Sequence, residues 1–293
     1  MTVAPHRLVH PLVLDPRPDI RLIAADMDGT LLDDANGLHE HLWPLVRELH
    51  RRGIVFCPAS GRQYHNLLER FGEVADDVVF IAENGTYVVR RGHELSSDGL
   101  ALDVVGRLVA TVRELAGSGA DVGVVVCGKD MAYIERSDAA FRAQADTYYA
   151  RLRVVDDLRT MLGDPLFADE VLKVAVFDFG SAQATTAPAL AGFRATHQVV
   201  VSGEHWVDVM SPTANKGTAV RQLQQALGIT RAQTMVFGDF LNDLEMMDAA
   251  DYSFAMDNAH PLLRARARFV APRNTQNGVV RTISAMLGLA WTA

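Results

Sequence analysis

The sequence predicts an α/β protein, a doubly wound, mostly parallel Rossmann-like core that carries an inserted α+β domain. Two patterns point there. Short apolar runs alternate with amphipathic helical segments in the first third of the 293 residues and again in the last third. Strand–helix–strand units of this kind build parallel sheets through right-handed crossovers. In the middle third, paired apolar runs about short turns stand beside helical segments, as in a mainly antiparallel sheet with helices packed on it.

The elements follow in order. Residues 1–19 contain Pro5, Pro11, Pro16 and Pro18 and read as an extended lead-in. Residues 21–25 form an apolar strand that ends at Asp26. Leu42, Leu45, Val46 and Leu49 recur at helical spacing within 39–52, and Gly53 stops that helix. A strand at 54–59, a helix at 63–71 and a strand at 78–82 continue the alternation. The Asn84-Gly85 turn then leads to a hairpin at 86–95 about Arg91-Gly92.

The middle carries a helix at 102–116, strands at 122–127 and 131–135 about a turn, and a helix at 139–149. Strands at 152–155 and 172–178, one helix across 182–196, and strands at 199–202 and 206–210 complete it. Alternation resumes with a helix at 215–227, a strand at 234–237 and a helix at 241–249. Strands at 252–256 and 269–271 and a helix at 278–287 close the chain. The core is therefore expected at residues 20–98 and 207–293, with the insertion at 99–206.

Composition narrows the partners. There are 28 Lys and Arg against 36 Asp and Glu, a formal net charge of −8. A nucleic-acid binder needs a basic face, so that class is disfavoured, and positive charge for a phosphorylated ligand must be local. Cys57 and Cys127 each sit in an apolar run, which predicts two buried, reduced thiols. No apolar stretch reaches the roughly 18 residues of a membrane span, and the lead-in lacks the apolar core of a signal peptide. The chain reads as cytoplasmic, a monomer or small homo-oligomer without a membrane partner.

Four polar signals fall at the C-terminal ends of core strands, the edge where open parallel sheets bind ligands. The first is Asp26-Met27-Asp28-Gly29-Thr30. Two carboxylates one residue apart repel unless a cation or proton stabilises them. The second is Ser60-Gly61-Arg62, where a hydroxyl, a glycine amide and a helix start form an anion cradle. The third is Lys216 in Asn215-Lys216-Gly217, a cation near a helix N-terminus and disfavoured there without an accompanying anion. The fourth is Gly238-Asp239-Phe240-Leu241-Asn242-Asp243. Asp239 suits a hard cation such as Mg²⁺, and Asp243, one helical turn on, can orient the others.

In this order and placement the signals resemble the four motifs of the haloacid dehalogenase-like superfamily, whose members are mostly phosphatases. The matching segments are residues 22–86 and 207–258. With Ala82-Glu83-Asn84-Gly85, Asp257-Asn258-Ala259 and the position of the insertion, the chain is similar to the Cof-type sugar-phosphate phosphatases with a large α/β cap. Two departures stand out: Ser60 where Thr is commoner, and Asp257-Asn258 where Gly-Asn is usual.

The resemblance implies that Asp26 attacks phosphorus and becomes an aspartyl-phosphate, while Asp28 protonates the leaving oxygen and later activates water. It places Mg²⁺ on Asp26, the Asp28 carbonyl and Asp239, with Asp243 behind them. Ser60, Gly61 and Asn242 would bind phosphate oxygens, and Lys216 would offset the charge of Asp26 and the phosphoryl group. Apart from the resemblance, Arg62 follows the phosphate cradle, where it is placed either to reach a second anionic group or to form a surface ion pair. The substrate would be a small phosphorylated metabolite, a sugar phosphate first of all, and the cap would close over it and select it. His65, Asn84, Lys173 and His205 are lesser candidates, and Trp206 reads as packing. A phosphomutase on the same core and a non-catalytic Mg²⁺-binding module stay open. The Asp26–Asp28 pair opposes the latter, because only turnover requires the second carboxylate.

Overall fold

The computed structural model describes residues 16–289, so residues 1–15 of the expected lead-in lie outside the described part. Strand β1 (Leu22–Asp26) is buried along its whole length. Apolar side chains on both of its faces suit a central strand covered on either side. It pairs in parallel with β2 (Val55–Ala59) and with β12 (Thr234–Gly238), the latter bringing Ala25 opposite Phe237. On one flank β3 (Val79–Ala82) follows β2, then the antiparallel hairpin of β4 (Tyr87–Arg90) and β5 (His93–Ser97) closes that edge. On the other, β13 (Tyr252–Met256) and β14 (Phe269–Ala271) follow β12 in parallel.

Helices pack on this sheet in two groups. Leu42–Arg51 touches Gly278–Leu287, while Lys216–Leu227, Leu244–Asp248 and Pro261–Arg266 form a second row. The 42–51 helix buries the four residues that its spacing marks, Leu42, Leu45, Val46 and Leu49.

A second sheet holds β10 (Gln198–Val201), β11 (Trp206–Met210), β9 (Val171–Asp178), β6 (Val122–Gly128), β7 (Ala132–Ile134) and β8 (Leu152–Val154), in that order. All its pairings are antiparallel except β7 with β8. Period-two alternation splits β6 between two apolar clusters. Val122, Val124 and Val126 pack under helix Leu102–Gly117, and Val125 and Cys127 pack with Phe141 and Ala145 of helix Ala139–Tyr148. Cys57 and Cys127 are buried free thiols. The two crossings between the sheets lie together, with Thr213 Oγ1 donating to Asp98 Oδ2 at 2.5 Å.

Two expectations change, and two short helices are added. The return to the core does not come at residue 207, because β11 belongs wholly to the second sheet through its ladders with β9 and β10. The single helix expected across 182–196 is three short turns, Ala182–Thr186, Ala187–Ala189 and Ala191–Ala195. Pro188 lacks the N–H that would continue it, and Gly192 weakens the next turn. Helices Leu158–Leu162 and Pro261–Arg266 are too short to show a period; Asp157 caps the first, accepting from the Thr160 N–H at 2.7 Å. Among the described residues no helix is long and apolar enough to cross a membrane.

Candidate active site

The sheet order β12–β1–β2 sets Asp239, Asp26 and Ser60 in a row at one edge, Asp26 as the last residue of its strand and the other two just past theirs. Gly29 turns the chain there with φ +76, and a Cβ at this position would collide with the Asp239 carboxylate. Asn258 Nδ2 donates to the Gly29 carbonyl at 2.8 Å. Asn258, the residue of the Asp257-Asn258 pair that keeps the usual identity, thus braces the turn that lies against Asp239.

Lys216 is completely buried between two carboxylates. Its Nζ donates to Asp26 Oδ1 at 2.5 Å and to Asp243 Oδ1 at 2.7 Å. Burial pulls the ammonium down, but Asp243 and Asp26 outweigh it and hold Lys216 above its ordinary value. The other Asp243 oxygen accepts from the Asp239 N–H at 3.0 Å and the Phe240 N–H at 3.4 Å, so Asp243 orients its neighbours. Asn215 caps this helix, accepting from the Thr218 N–H at 2.8 Å.

One lysine does not neutralise this group. Carboxylate oxygens of Asp26, Asp239 and Asp243 lie within 4.8 Å of one another, a hard-oxygen donor set that fits Mg²⁺. Burial, more than any other effect, pushes Asp26 up, with Asp243 and Asp28 adding to it against Lys216. Asp239 is raised by burial and then by Asp26 and Asp243. Carboxylates raised on folding stabilise the fold at low pH and lose that contribution as pH climbs through their folded values. Melting of the metal-free protein is therefore expected to move to lower temperature between about pH 5 and about pH 9. Mg²⁺ should remove most of that slope, and Asp26→Asn should reduce it while leaving the part that burial of Asp239 carries. A flat profile without metal would contradict the charge excess.

Arg62 departs from expectation. It is 1% exposed, and its guanidinium does not face outward toward a second anion. Nε and Nη2 hold the two oxygens of Asp28 at 2.9 and 2.5 Å, Nη1 donates to the Thr147 carbonyl at 2.7 Å, and Asn66 and Asn36 take the rest. A planar fork matches a carboxylate at two points, so Arg62 fixes the plane of Asp28, whose side chain stays 46% exposed.

Ser60 Oγ accepts from the Arg62 N–H at 3.1 Å, and the Ser60 carbonyl accepts from the Asn84 N–H at 2.8 Å. Across a trans peptide the N–H points opposite its C=O. Among the described residues the Gly61 N–H has no acceptor. Asn242 lines the same cleft and donates through Nδ2 to Asn84 Oδ1 at 3.0 Å.

The cleft, about 370 Å³, runs from these loops to a wall on the second sheet. Trp206 is packed against Tyr148 and Phe177, at 5.4 and 5.0 Å between ring centroids, and also lines the cleft. His205 lines it too. Its Nδ1 is 2.8 Å from the Asp178 carbonyl, an acceptor only, so Nδ1 carries a proton and Nε2 is the ring nitrogen free of that contact. His65 does not line this cleft. Two participants escaped the sequence reading, Glu83 and Asp208. For Asp208 the signal was a charge within an apolar segment, Trp206-Val207-Asp208-Val209-Met210, as also at Lys173 of β9; Glu83 stands in the polar turn after β3 and carried no such signal.

Residues 23–283 match the family model described as haloacid dehalogenase-like hydrolase. The 5-amino-6-(5-phospho-D-ribitylamino)uracil phosphatase YbjI of Escherichia coli (strain K12) is 34% identical over 270 residues, covering 92% of this chain and 96% of that protein. The HMP-PP phosphatase of Cronobacter sakazakii is 29% identical and covers 84% and 87%. Among solved structures, SMU.1108c from Streptococcus mutans UA159 superposes with a TM-score of 0.83 at 23% identity, covering 92% of this chain and 99% of that one. A haloacid dehalogenase-like hydrolase from Bacillus subtilis gives a TM-score of 0.79 at 21% identity, covering 92% and 100%. Those two likenesses concern the fold; the family match and the Escherichia coli relative together establish that this chain belongs to the haloacid dehalogenase-like hydrolases.

Proposed function

We propose that the chain is a Mg²⁺-dependent phosphomonoester hydrolase for small phosphorylated metabolites, working through an aspartyl-phosphate on Asp26. The observation that carries this reading is the pairing of Asp26, tied to Lys216, with an Asp28 held by Arg62 at the cleft mouth. Lys216 and Asp243 orient the Asp26 carboxylate, whose other oxygen attacks phosphorus in line with the leaving oxygen. Asp28, steadied by Arg62, gives that oxygen a proton and later takes one from water. Ser60 Oγ, the Gly61 N–H and the Asn242 amide hold the non-bridging oxygens. Bound Mg²⁺, on Asp26, Asp239 and the Asp28 carbonyl, supplies charge neutralisation for the phosphoryl group. The second sheet is read as a cap that screens the cleft from water and selects the leaving group.

Sugar phosphates are the first class to expect. A second reading, a polyol phosphate bearing a flat ring, is favoured by the Tyr148–Trp206–Phe177 wall and agrees with the substrate in the name of the Escherichia coli relative. The test is phosphate release from sugar phosphates, nucleotides and pyridoxal phosphate, with and without Mg²⁺. Release that stops on chelation and resumes with Mg²⁺ is expected. Full activity in excess chelator would overturn the metal assignment, and isomer formed in place of free phosphate would point to a mutase.

A further inference from the structure

Lys173 and Asp208 are charged side chains in the middle of apolar strands β9 and β11, each 2% exposed. The antiparallel ladder sets Asp208 opposite Ala175 and Lys173 opposite Met210, so the two share the sheet face that carries Phe177 and Trp206. Neither faces a partner only within its own sheet. Lys173 Nζ donates to the Gly61 carbonyl at 2.5 Å and lies 2.9 Å from Glu83 Oε2 and 3.4 Å from Asp208 Oδ1. Asp208 Oδ2 accepts from Asn84 Nδ2 at 2.5 Å. Both Glu83 and Asn84 hold left-handed backbone, with φ 50 and 57, a conformation that persists where surrounding contacts impose it.

The chemistry of these partners fixes a direction. An ionised carboxylate only accepts, so Asn84 must turn its NH₂ to Asp208 and its oxygen to Asn242. Asn242 in turn must offer its NH₂ to Asn84, which leaves the second hydrogen of that NH₂ for a ligand in the cleft. On the other side, the Asn84 N–H pins the Ser60 carbonyl and Lys173 pins the Gly61 carbonyl. The peptides on both sides of Gly61 are thereby held, and its N–H is aimed by residues outside its own loop.

We infer that Lys173 and Asp208, although they stand on the second sheet, are positioning residues of the phosphate cradle, acting through Gly61 and through the Asn84–Asn242 relay. This rests on the reading that Ser60, Gly61 and Asn242 bind the phosphoryl group. It gives the second sheet a role beyond choosing the leaving group. Such residues affect every ester alike, whereas a residue that selects the alcohol affects some esters more than others.

The test uses the full chain with Mg²⁺, an aryl phosphate, a sugar phosphate, and inorganic phosphate as competitive inhibitor. Asp208→Ala should lower kcat/KM by about 10-fold or more, by the same factor on both esters, and weaken phosphate inhibition comparably. Asp208→Asn keeps an oxygen for the Asn84 amide and should recover most of the loss. Asp208→Ala combined with Asn242→Ala should cost clearly less than the product of the two separate losses, because the two share one relay. Should Asp208→Ala fail to fold, Asp208→Thr, close in volume and suited to a strand, reads the same coupling, and Lys173→Met reads the Gly61 arm. Additive losses, losses that differ between esters, or unchanged inhibition by phosphate would overturn the positioning role. A wild-type protein that neither releases nor binds phosphate would overturn the phosphatase reading instead.

Discussion

Asp26→Asn is expected to end turnover of every phosphate ester, with a loss on the order of ten-thousand-fold or more. The amide keeps the shape of the carboxylate and an oxygen for Lys216 Nζ, so the loop and the helix that carries Lys216 should stay in place. What disappears is the nucleophile, and no other carboxylate replaces it. Both oxygens of Asp243 are bound, and Asp28 is turned to Arg62. No acid-stable, base-labile phosphoprotein should form when the variant is mixed with substrate and quenched. The same substitution should raise the melting temperature of the metal-free protein above neutral pH, because burial already disfavours the charged form of Asp26. Loss of activity together with a gain in stability separates a removed nucleophile from a damaged fold. Residual turnover near the wild-type rate would place the nucleophile elsewhere.

Asp28→Asn is expected to split the reaction in two. A nitrophenolate leaves without a proton, so an aryl phosphate should still phosphorylate Asp26; a sugar alkoxide does not leave so readily, and its ester should be turned over about 100-fold to 10,000-fold more slowly. Hydrolysis of the phosphoenzyme then lacks its base. The trace with the aryl ester should show a burst of nitrophenol no larger than the enzyme present, then almost nothing. Arg62 keeps one of its two acceptors on the amide oxygen, so the side chain should hold its place. Wild-type rates on both esters would remove Asp28 from proton transfer.

Most of the site was legible because its residues stand at strand ends, where a short apolar run stops at a polar cluster. Asp26 ends β1, and Ser60 and Asp239 follow β2 and β12; the alternation of strands and helices marks those ends, and the ladders of β1 with β2 and β12 make them neighbours. Arg62 was misread for a physical reason. Sequence shows a cation beside an anion cradle, but not that Asp28, 34 positions earlier, folds back to take its donors. Asp208 was missed because a single charge within an apolar strand gains its meaning from what that strand faces, and Glu83 because a charge in a turn reads as solvated until Lys173 of the other sheet is set against it. The boundary at 207 failed similarly: nothing local to Trp206–Met210 says which sheet it joins, and only its ladders with β9 and β10 decide that. The broken helix across 182–196 was readable at Pro188, which has no N–H to continue it.

The adjacency of the two crossings, where Thr213 meets Asp98, bears on the order in which the chain assembles. Leu22 of β1 pairs with Thr234 of β12, a contact between positions at opposite ends of the sequence. Closing so long a loop in a disordered chain carries an entropic cost that rises with the logarithm of its length. The second sheet is contiguous in sequence from β6 to β11, so it can form before that closure. Once formed, it brings residues 98 and 213 together and turns a long floppy tether into a short staple. Until β12 arrives, β1 has only β2 beside it and presents an open apolar edge, the kind of surface that draws strand pairing between copies. Early folding of the insertion shortens that interval.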